Sequence, residues 1–176
     1  CKAIAGTFKP DPDYYRRKDG RSIQECLASI GGNWDDIHTA RRSRDDLAAF
    51  VELHVEQGGV LESKGVAIGV VEGVVGMGRY HLTVVGSPNH AGTTPMDMRQ
   101  DALVAAAQIV LAVNDLAQTL PGQLVATVGM LNVWPNATNI VPGQVDLSLD
   151  VRDLSRANVD SLVLQLEERL GDIAEA

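Results

Sequence analysis

The sequence predicts an α/β protein in two parts, a partial α/β domain over residues 1–76 and an α+β domain over residues 77–176. The second part has the element order β-α-β-β-α, which is the ferredoxin-like plan without its last strand. The boundary is placed at residue 76, where a stretch rich in valine and glycine ends. Aromatic residues make up only 4% of the chain, so its core is expected to consist of valine, leucine, isoleucine and alanine.

The first part contains one clear helix start and two strand-like stretches. Ser22 and Glu25 have the spacing of a capping box, which predicts a short helix after Ser22. Residues 49–56 alternate apolar and polar side chains, as a half-buried strand does. Residues 66–76 predict a second strand with a bend, because glycines interrupt a run of valines.

The second part follows a regular order of strands and helices. Its strands alternate with period two, and its helices carry an apolar stripe with period 3.6. The predicted elements are a strand over 80–85, a loop over 86–98, a helix over 99–116, strands over 124–133 and 144–152, and a last helix after Ser155.

Composition disfavours several classes of partner. The net charge is −8 and Arg41, Arg42 and Arg44 form only a small cationic cluster, so neither nucleic acid nor an anionic membrane is an expected partner. No unbroken apolar run reaches the roughly 18 residues of a membrane span. Cys1 and Cys26 form no disulfide or zinc-finger pattern, which favours a cytoplasmic location. The sequence starts without methionine or a signal peptide, and we expect it to be a piece of a longer protein.

His54 is the first candidate for site chemistry. On a strand, Glu52, His54 and Glu56 would point to the same side, and imidazole with carboxylate suits zinc, manganese or a similar divalent ion. The alternative is a solvated strand face with a single histidine. One histidine alone does not make a metal site, so the residues leave both interpretations open.

Two loops carry the remaining candidates. His90 lies in a loop between a strand and a helix, where it could donate to a developing oxyanion or only order its own turn. Asn136 and Asn139 lie between two prolines and could be turn residues alone. Arg152 could bind a carboxylate with both arms of its guanidinium, although a surface ion pair with a neighbouring aspartate (Asp150 or Asp153) is the commoner outcome.

Three motifs together resemble one enzyme family. "ELHVEQGGVLE", "NHAGTTPMDMRQDAL" and "PNATNIVPG" followed by "DVRD" are similar to the metal-dependent amidohydrolases that include N-carbamoyl-L-amino-acid hydrolases, allantoate amidohydrolases and β-ureidopropionases. These belong to the larger group of aminoacylase and carboxypeptidase G type metallo-exopeptidases. One departure is Gly59, which stands where the family pattern has proline. The resemblance covers nearly the whole chain.

The resemblance implies a role for each matching residue. His54 would be a metal ligand and Gln57 would line the substrate site. His90 would polarise the scissile carbonyl, while Asn139 and Arg152 would bind the carboxylate of the substrate. Residues 77–176 would be the lid, or dimerisation, domain of a homodimer, and some of these side chains would reach the partner subunit's active site.

The resemblance also implies the reaction. Two divalent ions per subunit (Zn, Mn, Co or Ni) would activate a water that attacks the carbamoyl or ureido carbon of a small carboxylate substrate. The other metal ligands and the general base would lie outside this sequence. Three alternatives stay open: allantoate or β-ureidopropionate as substrate, an aminoacylase or peptidase activity, and a dimerising module without a catalytic metal site.

Overall fold

The computed structural model describes residues 2–9, 11 and 15–175, so Cys1 lies outside the described residues. The chain divides into two compact units, Cys1–Ala67 and Ile68–Ala176. The stretch rich in valine and glycine placed the boundary at residue 76, and that position stays a prediction.

The second unit confirms the predicted β-α-β-β-α order. Its strands and helices are β1 (Gly76–Val85), α3 (Ala102–Thr119), β2 (Val125–Trp134), β3 (Gln144–Asp153) and α4 (Arg156–Glu175). The sheet order is β1-β3-β2, with β3 antiparallel to both neighbours. This is the arrangement of the first three strands in a ferredoxin-like domain.

One face of the central strand forms the core. Val145, Leu147, Leu149 and Val151 alternate along β3, and each is at most 2% exposed. They pack against the buried faces of α3 and α4. The alternate residues of β3 are polar and lie on the other face of the sheet. Burial of one such leucine stabilises the fold by about 1.5–3 kcal/mol. The buried face of β3 therefore holds this strand firmly in the core, together with the loop before it and the start of α4 after it.

Helix α3 is long and apolar enough to cross a membrane by length and composition alone. Its Ala106, Ile109, Val113 and Leu116 are buried in the core shared with β3. Asp101 caps its first turn by accepting hydrogen bonds from the backbone N–H groups of Leu103 and Val104. These contacts are those of a core helix that packs on a sheet.

The first unit has short helices and turns. Its α-helices are α1 (Ile23–Ser29) and α2 (Val60–Ser63). The predicted capping box is confirmed, because Ser22 accepts from the Glu25 N–H while the Glu25 carboxylate accepts from the Ser22 N–H.

The two strands predicted for residues 49–56 and 66–76 were wrong, apart from Gly76, which begins β1. Val51 is 89% exposed and Leu53 is 95% exposed, so the predicted inner face is not buried. An extended segment becomes a strand only when a neighbouring strand satisfies its backbone groups. Among the described residues no strand pairs with either segment, and alternation alone could not reveal that.

Candidate functional site

Two loops at one end of the sheet are joined by backbone hydrogen bonds. The histidine loop (residues 86–98) follows β1, and the asparagine loop (residues 135–143) connects β2 to β3. Three N–H groups donate across the gap: Gly86 to the Gly143 carbonyl at 2.8 Å, Ala91 to Asn139 at 2.8 Å, and, in the other direction, Val141 to Asn89 at 2.7 Å. These three bonds between peptide groups join the two loops into one frame.

A recess of about 660 Å³ lies between these two loops. His90 and Asn139 both line it, and so does Gln144, the first residue of β3. Much of the remaining wall is apolar, formed by Pro88, Trp134, Pro135 and Ile140. A mostly apolar recess with a few polar groups is the usual form of a small-molecule site. The structure thus brings together two of the sequence-predicted residues, His90 and Asn139.

The ring of His90 is held in one tautomer. The Gly92 N–H donates to His90 Nδ1 at 3.1 Å. A ring nitrogen that accepts a hydrogen bond carries no proton, so the network assigns the proton of the neutral ring to Nε2. His90 is thereby prepared to donate an Nε2–H bond to a carbonyl oxygen, which is the role that the family resemblance implied.

Arg99 fixes the turn that carries His90. Its Nε donates to the Thr94 carbonyl at 3.0 Å and its Nη2 donates to the Ala91 carbonyl. The Thr94 hydroxyl in turn donates to the His90 carbonyl at 2.8 Å. Arg99 is partly buried, so these charge-assisted bonds are stronger than ordinary surface contacts. Arg99 was not among the site residues predicted from sequence, although Arg99 lies inside the motif "NHAGTTPMDMRQDAL".

Arg152 lies at the opposite end of β3 from the recess. Its strand position pairs with Met77 and Val125, whereas Gln144 at the other end pairs with Val85 and Trp134. Eight residues of a strand span about 26 Å at roughly 3.3 Å each. A single small substrate cannot touch both Arg152 and the recess of the same chain.

Arg152 forms an ion pair with Asp150, as one of the alternative interpretations expected. Its Nε donates to Asp150 Oδ1 at 2.6 Å and its Nη2 donates to Oδ2 at 3.2 Å. Arg79 on β1 donates to the same Oδ2 at 3.1 Å. Hydrogen bonding from Arg152, with a smaller effect from Arg79, lowers the pKa of Asp150, and Asp150 raises the pKa of Arg152. Both groups are therefore charged at neutral pH.

His54 and Gln57 lie in the first unit, and both are exposed. His54 Nδ1 is 2.6 Å from the Val55 carbonyl, to which it can only donate. This leaves Nε2 with a free lone pair, the arrangement that metal-binding histidines commonly show. Glu56 points elsewhere: its carboxylate accepts from the Val60 and Leu61 N–H groups and caps α2.

His54 fits a divalent metal as one ligand. Among the described residues no three histidine, cysteine, aspartate or glutamate side chains converge as a metal site. The expected shared face of Glu52, His54 and Glu56 was wrong, because the segment is not a strand. Any complete site would need ligands from beyond these residues.

Backbone strain marks two of the motifs. Gln57 and Asn136 both have a φ of 57°, and they are the non-glycine residues with positive φ in the described part of the chain. This conformation is uncommon for residues with a Cβ and concentrates at functional sites. Gln57 follows His54 by three residues, and Asn136 precedes Asn139 by three.

Comparison with known proteins gives a consistent set of relatives. The family model described as peptidase dimerisation domain matches residues 73–176. An N-carbamoyl-L-amino-acid amidohydrolase of Paenarthrobacter aurescens is 40% identical over 174 residues, which are 98% of this chain and 42% of that protein. The allantoate amidohydrolase of Escherichia coli (strain K12) is 42% identical over 132 residues, 75% of this chain and 32% of that protein.

Solved structures agree with these relatives. A hydantoinase/carbamoylase family amidase from Burkholderia ambifaria has a TM-score of 0.85 and 28% identity, and covers 99% of this chain and 42% of that one. A putative amidohydrolase/peptidase from Burkholderia cenocepacia has a TM-score of 0.77 and 34% identity, with 99% and 42% of the two chains covered. The chain thus spans about two fifths of the length of these relatives.

Proposed function

Because this chain belongs to the peptidase dimerisation family, in the group of N-carbamoyl-L-amino-acid and allantoate amidohydrolases, we propose that the whole enzyme hydrolyses the carbamoyl C–N bond of an N-carbamoyl-L-amino acid. The observation that carries this proposal is the recess with His90 and Asn139. An Nε2–H donor and an amide side chain line one recess whose walls are mostly apolar.

His90 is the catalytic residue of this chain in the proposal. Its Nε2–H donates to the carbamoyl oxygen as negative charge develops there, and the Gly92 N–H keeps the ring in the required tautomer. Loss of one such donor typically lowers kcat by about 10²–10³. Asn139 and Arg152 bind the carboxylate of the substrate, and Gln57 positions its ureido group.

A divalent metal held partly by His54 Nε2 would supply an activated water nucleophile. The metal ligands that this chain lacks would come from the rest of the enzyme. Metal analysis of the full-length protein and its His54→Ala variant tests this assignment. We expect about two divalent ions per subunit in the wild type and a lower content in the variant. Equal metal content in the wild type and the variant would contradict the role of His54 as a metal ligand.

The substrate site is composite in this proposal. Arg152 and the recess lie about 26 Å apart along one strand, yet both are assigned to one small substrate. The conflict disappears in a homodimer in which Arg152 of one subunit faces His90 and Asn139 of the other. The match to a dimerisation domain supports such a dimer, and a two-fold axis would create two equivalent sites.

Subunit mixing tests the composite site directly. His90→Ala and Arg152→Ala variants of the full-length protein are each expected to be nearly inactive on an N-carbamoyl-L-amino acid. After joint unfolding and refolding, half of the dimers are mixed and each has one intact site, so roughly a quarter of the wild-type activity should return. A matched mixture of His90→Ala with Asn139→Ala places both defects in the same recess and should recover nothing. No recovery in the first mixture would refute the composite site.

Allantoate is the second candidate substrate, because several relatives of similar identity are named allantoate amidohydrolases or deiminases. Both candidates are ureido carboxylates, so the same residues would serve either. Comparing kcat/KM for an N-carbamoyl-L-amino acid, allantoate, β-ureidopropionate, an N-acetyl amino acid and a dipeptide separates them. Preference for the last two would refute the carbamoyl assignment and favour an aminoacylase or peptidase.

A further inference from the structure

Arg152 offers a substrate only part of its guanidinium, because Asp150 holds the rest. The bonds from Nε and Nη2 occupy one edge of the planar group. A guanidinium has a second edge, formed by its two terminal nitrogens, that can bind another carboxylate in the same two-point manner. Among the described residues, no acceptor lies on Nη1 of Arg152. The free edge is therefore the one that a substrate carboxylate would use.

Asp150 is itself fixed from two directions. Its Oδ2 accepts from Arg79 on the neighbouring strand at 3.1 Å, and both of its oxygens accept from Arg152. Asp150 and Arg152 lie two residues apart on β3, so their side chains share the open face of the sheet. The inward residue between them, Val151, is fully buried in the core beneath the pair.

We propose that Asp150 is the positioning residue of the substrate-carboxylate site, holding the guanidinium of Arg152 with its terminal edge free. This inference rests on the function proposed above. It gives Asp150 a role in substrate affinity without any contact with the substrate. The lowered pKa of Asp150 keeps it ionised at the pH of the reaction.

The opposite role is physically possible and makes the opposite prediction. If Asp150 only occupied Arg152 in the absence of substrate, it would compete with the substrate carboxylate, and its removal would lower KM. The two-point contact argues for positioning, since the substrate can bind the free edge without displacing Asp150. Holding a long arginine side chain in place also removes an ordering cost from substrate binding.

Steady-state kinetics of the full-length enzyme with an N-carbamoyl-L-amino acid test this role. The Asp150→Asn variant should raise KM about five- to tenfold with kcat within about twofold, because a misplaced binding group costs affinity before chemistry. Asp150→Glu should restore part of the affinity. Asp160→Asn is the matched control: Asp160 accepts from Arg156 Nε at 2.8 Å in an exposed ion pair on α4, and its loss should leave KM unchanged.

A double variant separates positioning from a general structural effect. If Asp150 acts through Arg152, Asp150→Asn should leave the residual kcat/KM of Arg152→Ala unchanged. A lowered or unchanged KM in Asp150→Asn, or a full additional loss in the double variant, would overturn the proposal.

Crystal structures of the substrate-free wild type and Asp150→Asn enzymes give a test that needs no turnover. Arg152 should leave its position in the variant, and an unmoved guanidinium would overturn the positioning role. A wild type that hydrolyses no carbamoyl substrate would instead refute the proposed function, while this structural comparison would still decide the role of Asp150.

Discussion

Gly86 lies where the end of β1 passes the backbone just before α3, and Gly86→Ala should be strongly destabilising. A Cβ at this position would overlap the Gln100 carbonyl oxygen and lie 2.9 Å from the Ala102 nitrogen. Both obstacles are backbone atoms, so no side-chain rotation can relieve the overlap. The two segments would have to separate by about 1 Å.

The cost follows from the bonds that this separation breaks. The Ser87 N–H donates to the Gln100 carbonyl at 2.8 Å and the Ala102 N–H donates to Pro142 at 3.1 Å. Two such bonds are worth about 1–3 kcal/mol together, and the remaining overlap costs about 1–3 kcal/mol. The lower entropy of the unfolded alanine chain offsets about 0.4–1 kcal/mol. We therefore expect Gly86→Ala to lower the free energy of unfolding by about 3 kcal/mol.

Urea unfolding followed by tryptophan fluorescence measures this change. Trp134 lies on β2 beside the loops that Gly86 helps to join, and Trp34→Phe removes the other tryptophan of these 176 residues. Gly129→Ala is the control, because a Cβ there meets no atom within 4 Å; it should leave stability unchanged or raise it by up to about 1 kcal/mol. A Gly86→Ala variant within about 0.5 kcal/mol of its parent, or an equal loss at Gly129, would refute the reasoning.

Three further changes have definite expected outcomes. Leu147 is fully buried on β3, and Leu147→Ala should lower the free energy of unfolding, measured in urea, by about 3–4 kcal/mol. Leu111 is 68% exposed on α3, and Leu111→Ala should lower it by less than about 0.5 kcal/mol. Similar losses in the two variants would contradict the assigned core. Arg99→Met should lower kcat about tenfold with KM within about twofold, since the turn under His90 loses two charge-assisted bonds; steady-state kinetics would show an unchanged kcat if Arg99 had no such role. Because Arg152 holds the pKa of Asp150 below its usual range, the stabilisation from this pair is present above the ordinary carboxyl pKa and is lost as pH falls through the lowered value. The difference in Tm between wild type and Asp150→Asn should accordingly shrink in acid, and a difference that grows would reverse the assigned sign.

The second unit could be predicted from sequence because its signals are local. The alternation over residues 144–152 and the apolar stripe over 99–116 each identified an element whose buried face the structure confirms. Residues 49–56 show the same alternation and form no strand, since a strand depends on a neighbour that the pattern does not contain.

The site shows the same division between local and non-local information. Motifs identified His90 and Asn139 as candidates, and the structure brings both into one recess. The tautomer of His90 could not be read from sequence, because it depends on where the Gly92 N–H points. The separation of Arg152 from the recess could not be predicted from sequence either, because it depends on strand direction and register. Asp150 lies in the motif "DVRD", yet its contact with Arg79 joins residues 71 positions apart.

The backbone frame between the histidine and asparagine loops determines which side chains of the recess can vary without disturbing the frame itself. Peptide groups alone make its three connecting bonds, so most exchanges of side chains in the recess leave the frame intact. Trp134 and Ile140 line the wall and contribute no side-chain hydrogen bond to it. Variation at these two positions can reshape the recess without removing any of the three backbone bonds, so under the proposed function substrate preference could change while His90 and Asn139 keep their places. Wall positions whose side chains make none of the connecting bonds thus differ from Gly86, where an added Cβ would collide with the backbone before α3.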